Sequence, residues 1–180
     1  MTVTNKRILG IGAAVLLLAA AAVAAPDPTD TNPKMSDQVR KALVTLPYYG
    51  VFDNLEYKID GSTITLSGQV VRPTTRSDAE HRVAKIEGVD RVVNNIEVLP
   101  LSSFDDSIRA RTYRAVFRTG SLYRYAMGAN PSIHIVVDNG RVTLEGVVSN
   151  KMDSQLAYTA ANGVPGVFHV TNNLRVERGT

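Results

Sequence analysis

Asp60-Gly-Ser-Thr-Ile-Thr-Leu-Ser-Gly68 and Asp138-Asn-Gly-Arg-Val-Thr-Leu-Glu-Gly146 are one stretch of sequence written twice, 78 residues apart (138 − 60 = 78). The register continues without a gap. Gly88-Val89 lies over Gly166-Val167, and Asn94-Asn95-Ile96 over Asn172-Asn173-Leu174. A repeat on this scale decides the fold, because each copy must be one structural unit. The chain is therefore two tandem copies of one small module.

Working outward from the quoted stretch, Leu55, Tyr57 and Ile59 alternate with Glu56, Lys58 and Asp60. Gly61-Ser62 makes a turn, and Ile64 and Leu66 return along the sheet. Alternation with one apolar side predicts a hairpin with one face buried and one wet. In the second copy Ile133, Ile135 and Val137 lead to Asn139-Gly140, then Val142 and Leu144. Asn-Gly between alternating strands is a strong hairpin signal. The first copy has its glycine one place earlier, which leaves the shape of its turn open. An amphipathic helix precedes each hairpin. In copy one, Ser36 or Asp37 can cap it, and Val39, Ala42, Leu43 and Leu46 share a face until Pro47. A second helix follows, with Thr75 and Asp78 as a capping box and Ala79, Val83 and Ile86 on one stripe. Its partners in copy two are Ala157, Ala161 and Val164. Gly88 and Gly166 are expected to end these helices, and a last strand carries Val92, Ile96 and Val98, matched by Val170, Leu174 and Val176.

The expected order in each copy is α-β-β-α-β. The fold class is α+β, each module a three-stranded mixed sheet with two helices packed on one face. A module this small buries only about 60% of its unfolded surface, so the copies are expected to pack together. The expected boundaries are a signal peptide over 1–24, a flexible spacer over 25–35, and module one over 36–99. A short linker over 100–104 and module two over 105–177 complete the chain.

These motifs resemble the BON (bacterial OsmY and nodulation) domain family. In copy one they are Ile64-Thr65-Leu66-Ser67-Gly68, Gly88-Val89, Val92, Asn94 and Ile96-Glu97-Val98. In copy two they are Gly140-Arg141-Val142-Thr143-Leu144-Glu145-Gly146, Gly166-Val167, Val170, Asn172 and Leu174-Arg175-Val176. The resemblance covers roughly 36–99 and 105–177, with Gly68, Gly88, Gly146 and Gly166 as structural motif positions. It implies an envelope protein, usually periplasmic, associated with osmotic or envelope stress and with phospholipid surfaces. It brings no catalytic residues and no cofactor.

The N-terminal sequence fits export. Lys6 and Arg7 precede Ile8 to Ala25, which carries no charge, and Ala22-Val23-Ala24 is a small-x-small pattern with cleavage expected after Ala24. The rival reading is an uncleaved anchor, near the lower length limit for a span. Gly10-Ile11-Gly12 lies inside this run, with no strand before it, so it is not a nucleotide-binding fingerprint. Pro26 to Lys34 holds three prolines and no large apolar residue and reads as a spacer. The absence of cysteine removes disulfides, thiolate zinc sites and a lipid-modified N-terminal cysteine. Without Lys6 and Arg7 the chain has 18 basic residues (20 − 2) against 17 acidic. That near balance does not resemble a nucleic-acid binder. The halves differ, however: residues 26–100 hold 9 basic and 11 acidic, residues 101–180 hold 9 and 6.

The copies diverge in one place. Asp37 to Leu55 is 18 positions and Asp106 to Ile133 is 27, so copy two gains nine residues within Arg118 to Pro131. The preceding helix, with Ser103 and Asp106 as a possible capping box, has two apolar sides: Ile108, Thr112, Ala115 and Val116 on one, Tyr113 and Phe117 on another. Arg111, Arg114 and Arg118 form a separate stripe. Arginines beside aromatics suit a membrane interface, where rings enter the headgroup layer and guanidinium groups meet phosphate. The candidate lipid-binding residues are Arg109, Arg111, Tyr113, Arg114, Phe117, Arg118, Leu122, Tyr123, Arg124 and Tyr125. The expected partner is an anionic phospholipid surface, bound peripherally. Five arginines near such a surface set an upper limit of about 5 kcal/mol. Two other readings stand beside it. Tyr113 and Phe117 can instead form a seam with copy one, and the arginines can be a solvated face. An envelope protein bound along a free strand edge or on the wet sheet face of a module would make the chain a protein-interaction or chaperone-like adaptor.

Little else carries chemistry. His81, His134 and His169 lack thiolates or grouped carboxylates, and the latter two are expected on the wet sheet face. Asp105-Asp106 fits a helix N-terminus better than an acid pair. No nucleophile motif, zinc motif or phosphate loop occurs, so neither catalysis nor a metal is expected.

Overall fold

A computed structural model describes residues 33–128 and 130–177. The apolar leader and most of the spacer lie outside the described residues. Module one runs α1 (Pro33–Val44), β1 (Asn54–Asp60), β2 (Thr63–Val70), α2 (Pro73–Val83), β3 (Arg91–Asn94) and β4 (Glu97–Val98). Module two runs α3 (Ser103–Phe117), a 3-10 turn η1 (Leu122–Ala126), β5 (Ile133–Asp138), β6 (Arg141–Val148), α4 (Lys151–Asn162), β7 (His169–Asn172) and β8 (Arg175–Val176). The α+β reading holds, with one refinement: the third strand of each sheet is broken in two. β3 and β4 both run parallel to β2, with Thr63 opposite Arg91 and Gln69 opposite Glu97. The offset is 28 in both places (91 − 63 and 97 − 69), so one register spans the break. β7 and β8 repeat this on β6, Arg141 opposite His169 and Val147 opposite Arg175.

The break faces a glycine in each copy. Gly68 and Gly146 have φ of +109° and +114°. A methyl group there would collide with the carbonyl oxygen of Asn54, the first residue of β1, or of Ser132, just before β5. Only glycine permits both that backbone and that approach. The turns differ, as the offset glycine implied. In copy two both Asn139 (+49°) and Gly140 (+76°) are left-handed; in copy one only Gly61 (+57°) is. Gly88 and Gly166 also have positive φ, but they follow the helices by several residues instead of closing them.

The helix starts correct three expectations. α1 already includes Pro33, ahead of Ser36 and Asp37. α2 begins at Pro73 with no side-chain cap, and Thr75 lies buried inside it, its hydroxyl without a hydrogen bond. α3 is capped by Ser102, whose hydroxyl accepts the Asp105 N–H at 3.1 Å. Pro73 explains the second case: its fixed φ suits a first turn, and it needs no partner for a missing N–H.

Each module has its own core. Val39, Leu43, Ile64, Leu66, Val70, Ala79 and Val83 fill the first; Ile108, Val116, Ile133, Ile135, Leu144, Ala157 and Ala161 fill the second. The modules meet where the loop after α1 crosses to the edge of β5. The Val51 carbonyl accepts the Ile135 N–H at 2.7 Å, and Val51 and Phe52 pack against the second core. Asp53 shapes this loop by accepting the N–H groups of Gly50 (2.9 Å) and Val71 (2.7 Å). His134 is therefore not on a wet face. It is buried, its Nδ1 3.2 Å from the Gly50 carbonyl and its Nε2 3.4 Å from the Tyr49 hydroxyl. Burial lowers its pKa, and burial pushes the Tyr49 phenol up to about 12.

Candidate functional site on the second module

The ten candidate residues separate into an interior and an exterior set. Arg109 is buried, with Nη1 2.6 Å from Asp106 Oδ1 and Nη2 donating to the Val137 carbonyl at 2.7 Å. Phe117, Leu122 and Tyr125 are core residues of module two. The nine added residues explain this: η1 folds back under the module and supplies Leu122 and Tyr125 as part of its floor. Tyr125 donates to Asp153 Oδ2 at 2.5 Å and accepts the Ser149 N–H at 2.9 Å. That hydrogen bond, with Arg124 bonded to the same carboxylate, holds Asp153 below the usual carboxylate range. Arg124 is thus committed to an internal partner.

Tyr113 is 37% exposed and meets Phe52 of module one edge-on, ring centroids 6.2 Å apart at 67°. The seam between copies runs here. Tyr123, at 61% exposed, stands outward at the tip of η1.

Arg111, Arg114 and Arg118 remain. They line one side of a shallow groove closed on the other by Gly163, Val164 and Pro165 after α4. Arg111 Nε donates to the Ser107 carbonyl at 3.1 Å and Arg114 Nε to the Ala110 carbonyl at 3.0 Å. Among the described residues none of the three has a carboxylate partner. Allowing for the nine added residues, the offset between first helices is 69 (78 − 9). It pairs these arginines with Ala42, Thr45 and Tyr49, so the stripe belongs to module two alone.

The stripe continues into residues that sequence reading missed. Phe104 is seven positions before Arg111 (111 − 104), hence on the same face of α3. It is 45% exposed and stacks with Phe168, 74% exposed, at 6.0 Å. Leu101, beside Phe104 in the chain, is 97% exposed. Two glycines seat this knob: Phe168 and Phe104 close over Gly140, and Phe104 and Arg111 flank Gly166. Below it, Asp105 clamps the hairpin turn, accepting the N–H groups of Gly140 (2.8 Å) and Asn139 (3.1 Å). Module one has Met35 in place of Phe104, buried against Gly88, and Asp90 in place of Phe168. A comparison of the copies position by position would have exposed the Asp90-to-Phe168 difference.

Among the described residues there is no group of three or more His, Asp or Glu placed to hold a metal, and no helix long and apolar enough to cross a membrane.

Two matches to the BON domain family cover residues 35–100 and 105–178. The chain belongs to that family, as two tandem BON domains. No match was found among curated proteins. Among solved structures it is similar to CdsD, described as a structural protein of the type III secretion system of Chlamydia trachomatis. Identity is 9%, covering 81% of this chain and 93% of that one, with a TM-score of 0.33. A CdsD C-terminal domain matches at 10% identity, covering 79% and 96%, with a TM-score of 0.28.

Proposed function

We propose that this protein is a non-enzymatic, exported envelope protein that attaches peripherally to anionic phospholipid through module two, in support of envelope or osmotic stress maintenance. The observation that carries the reading is the row on one face of α3: Arg111 half-buried, Arg114 and Arg118 exposed, none with a carboxylate partner among the described residues. The row adjoins exposed aromatic rings: Phe104, stacked on Phe168, meets Arg111 at Gly166. With Arg109 buried and Arg124 paired, three arginines contribute, an upper limit of about 3 kcal/mol before screening. Such attachment is reversible and sensitive to salt.

The adaptor reading draws less support. The β5 edge is occupied at Ile135 by the Val51 carbonyl. The β1 edge carries Glu56, Lys58 and Asp60, the kind of charges that guard an edge against pairing.

The test is cosedimentation of the full mature chain with phosphatidylglycerol vesicles. Binding should fall as salt rises and disappear in the triple variant Arg111→Glu, Arg114→Glu, Arg118→Glu. Unchanged binding of that variant would sink the reading.

A further inference from the structure

We infer that Leu101, Phe104 and Phe168 form a knob that enters the acyl layer of an anionic bilayer while the adjoining arginines hold its phosphates, so that attachment depends on lipid packing. This rests on the proposed membrane attachment and adds to it a point of penetration.

Three features carry the inference. The knob is apolar and exposed: Phe104 and Phe168, from two chain segments, stack on module two at 45% and 74% exposure, and Leu101, three positions before Phe104, is 97% exposed. It is also pre-organised. Asp105 fixes the turn beneath it, and the Phe168 N–H donates to the Gly140 carbonyl at 2.9 Å. Rings held this way lose little conformational freedom on insertion. Charge complementarity selects the occupant. The same helix face runs from Phe104 through Arg111 and Arg114 to Arg118, and Arg111 and the Phe104 ring meet at Gly166. With 14 positions between Phe104 and Arg118 (118 − 104), the stripe extends roughly 21 Å at 1.5 Å per residue. A helix lying flat can thus present rings to the acyl boundary and guanidinium groups to the phosphate level in one contact. A protein partner would need acidic and apolar surface in that same sequence; a bilayer offers both everywhere.

Penetration requires a gap between headgroups. Binding should therefore favour small, unsaturated phosphatidylglycerol vesicles over large, saturated ones at equal surface charge.

The chain contains no tryptophan, so Phe168→Trp places a single reporter in the knob. On adding unsaturated phosphatidylglycerol vesicles, its emission should move to the blue and be quenched by lipids brominated in the acyl chain. Phe168→Ser should weaken binding by about tenfold while leaving the far-ultraviolet dichroism unchanged. If the wild type and the reporter variant both bind, but the reporter shows neither shift nor quenching, the lipid reading stands and insertion is wrong. If the wild type fails to bind vesicles at all, both fall. A blue shift that grows with protein concentration in the absence of lipid would assign the knob to a second copy of the chain and overturn the inference.

Discussion

Asp105 holds Gly140 through its carboxylate, Oδ1 accepting the glycine N–H at 2.8 Å while Oδ2 takes that of Asn139. A residue placed in the first turn of a helix thereby fixes a hairpin turn 35 positions further on (140 − 105). Asp105→Ala leaves two turn amides without their acceptor. The expected cost is about 1–3 kcal/mol, read as a lower urea midpoint with unchanged slope. The equivalent position in module one is Ser36, which bonds the Tyr57 hydroxyl at 3.0 Å, so Ser36→Ala should cost less.

Gly146 should tolerate no side chain. Its φ of +114° and its approach to the Ser132 carbonyl oppose even a methyl group. Gly146→Ala is expected to cost roughly 2–5 kcal/mol and to push much of the protein into the insoluble fraction. Gly50, with open space around its α-carbon, is the control: Gly50→Ala should stay soluble.

His134 makes the seam sensitive to acid. Its folded pKa lies below the ordinary value of 6.5 because burial disfavours the charged ring. The unfolded chain then binds the proton more readily. Stability is full above about pH 6.5 and declines as pH falls below it, levelling once the folded ring is also protonated. The groups facing His134 are Tyr49 and Asp53 on the loop and Glu145 across the strand pair. Asp53 is shifted upward by burial and acts in the opposite sense at lower pH, so melting is best compared between about pH 8 and pH 5.5. Over that range the wild type should lose more stability than His134→Gln.

Phe52 joins the copies. It packs on the second core and meets Tyr113 edge-on, so Phe52→Ala should loosen the modules without unfolding either. The expected result is faster proteolytic cleavage near Pro100 to Ser102. Amide exchange at Ile135, whose N–H is bonded to the Val51 carbonyl, should accelerate as well.

Tyr125→Phe removes one donor to Asp153 and the acceptor for the Ser149 N–H. Asp153, now held below the usual carboxylate range chiefly by that hydrogen bond, should titrate at higher pH. Its contribution, present above its unfolded pKa and lost as pH falls through the folded one, shrinks accordingly. The check is a reduced dependence of the melting temperature on pH in the acid range.

Much of this architecture is local in origin and was legible from the chain. Alternation at Leu55, Tyr57 and Ile59, the Asn139-Gly140 turn and the repeated Gly68 and Gly146 act through neighbouring backbone, and a 78-residue register states them twice. Helix starts were less legible, because Ser103, Thr75 and Asp78 suit a cap by residue type, while Ser102 caps α3 and Arg72, just before Pro73, stands at the cap position of α2 without a side-chain bond.

By itself, then, the sequence determined two BON modules, their strand order, and the place where the copies part company. Tertiary structure decided which divergent residues face out. Arg109 and Arg111 are alike in sequence; one is drawn inside, where Asp106 and the Val137 carbonyl accept from its two terminal nitrogens, and the other finds no carboxylate among the described residues. Phe104 and Phe168 are 64 positions apart (168 − 104), and only the parallel crossover through α4 sets their rings 6.0 Å from each other. Burial depends on what the chain folds against, and a pattern along one segment cannot contain the other segment's surface.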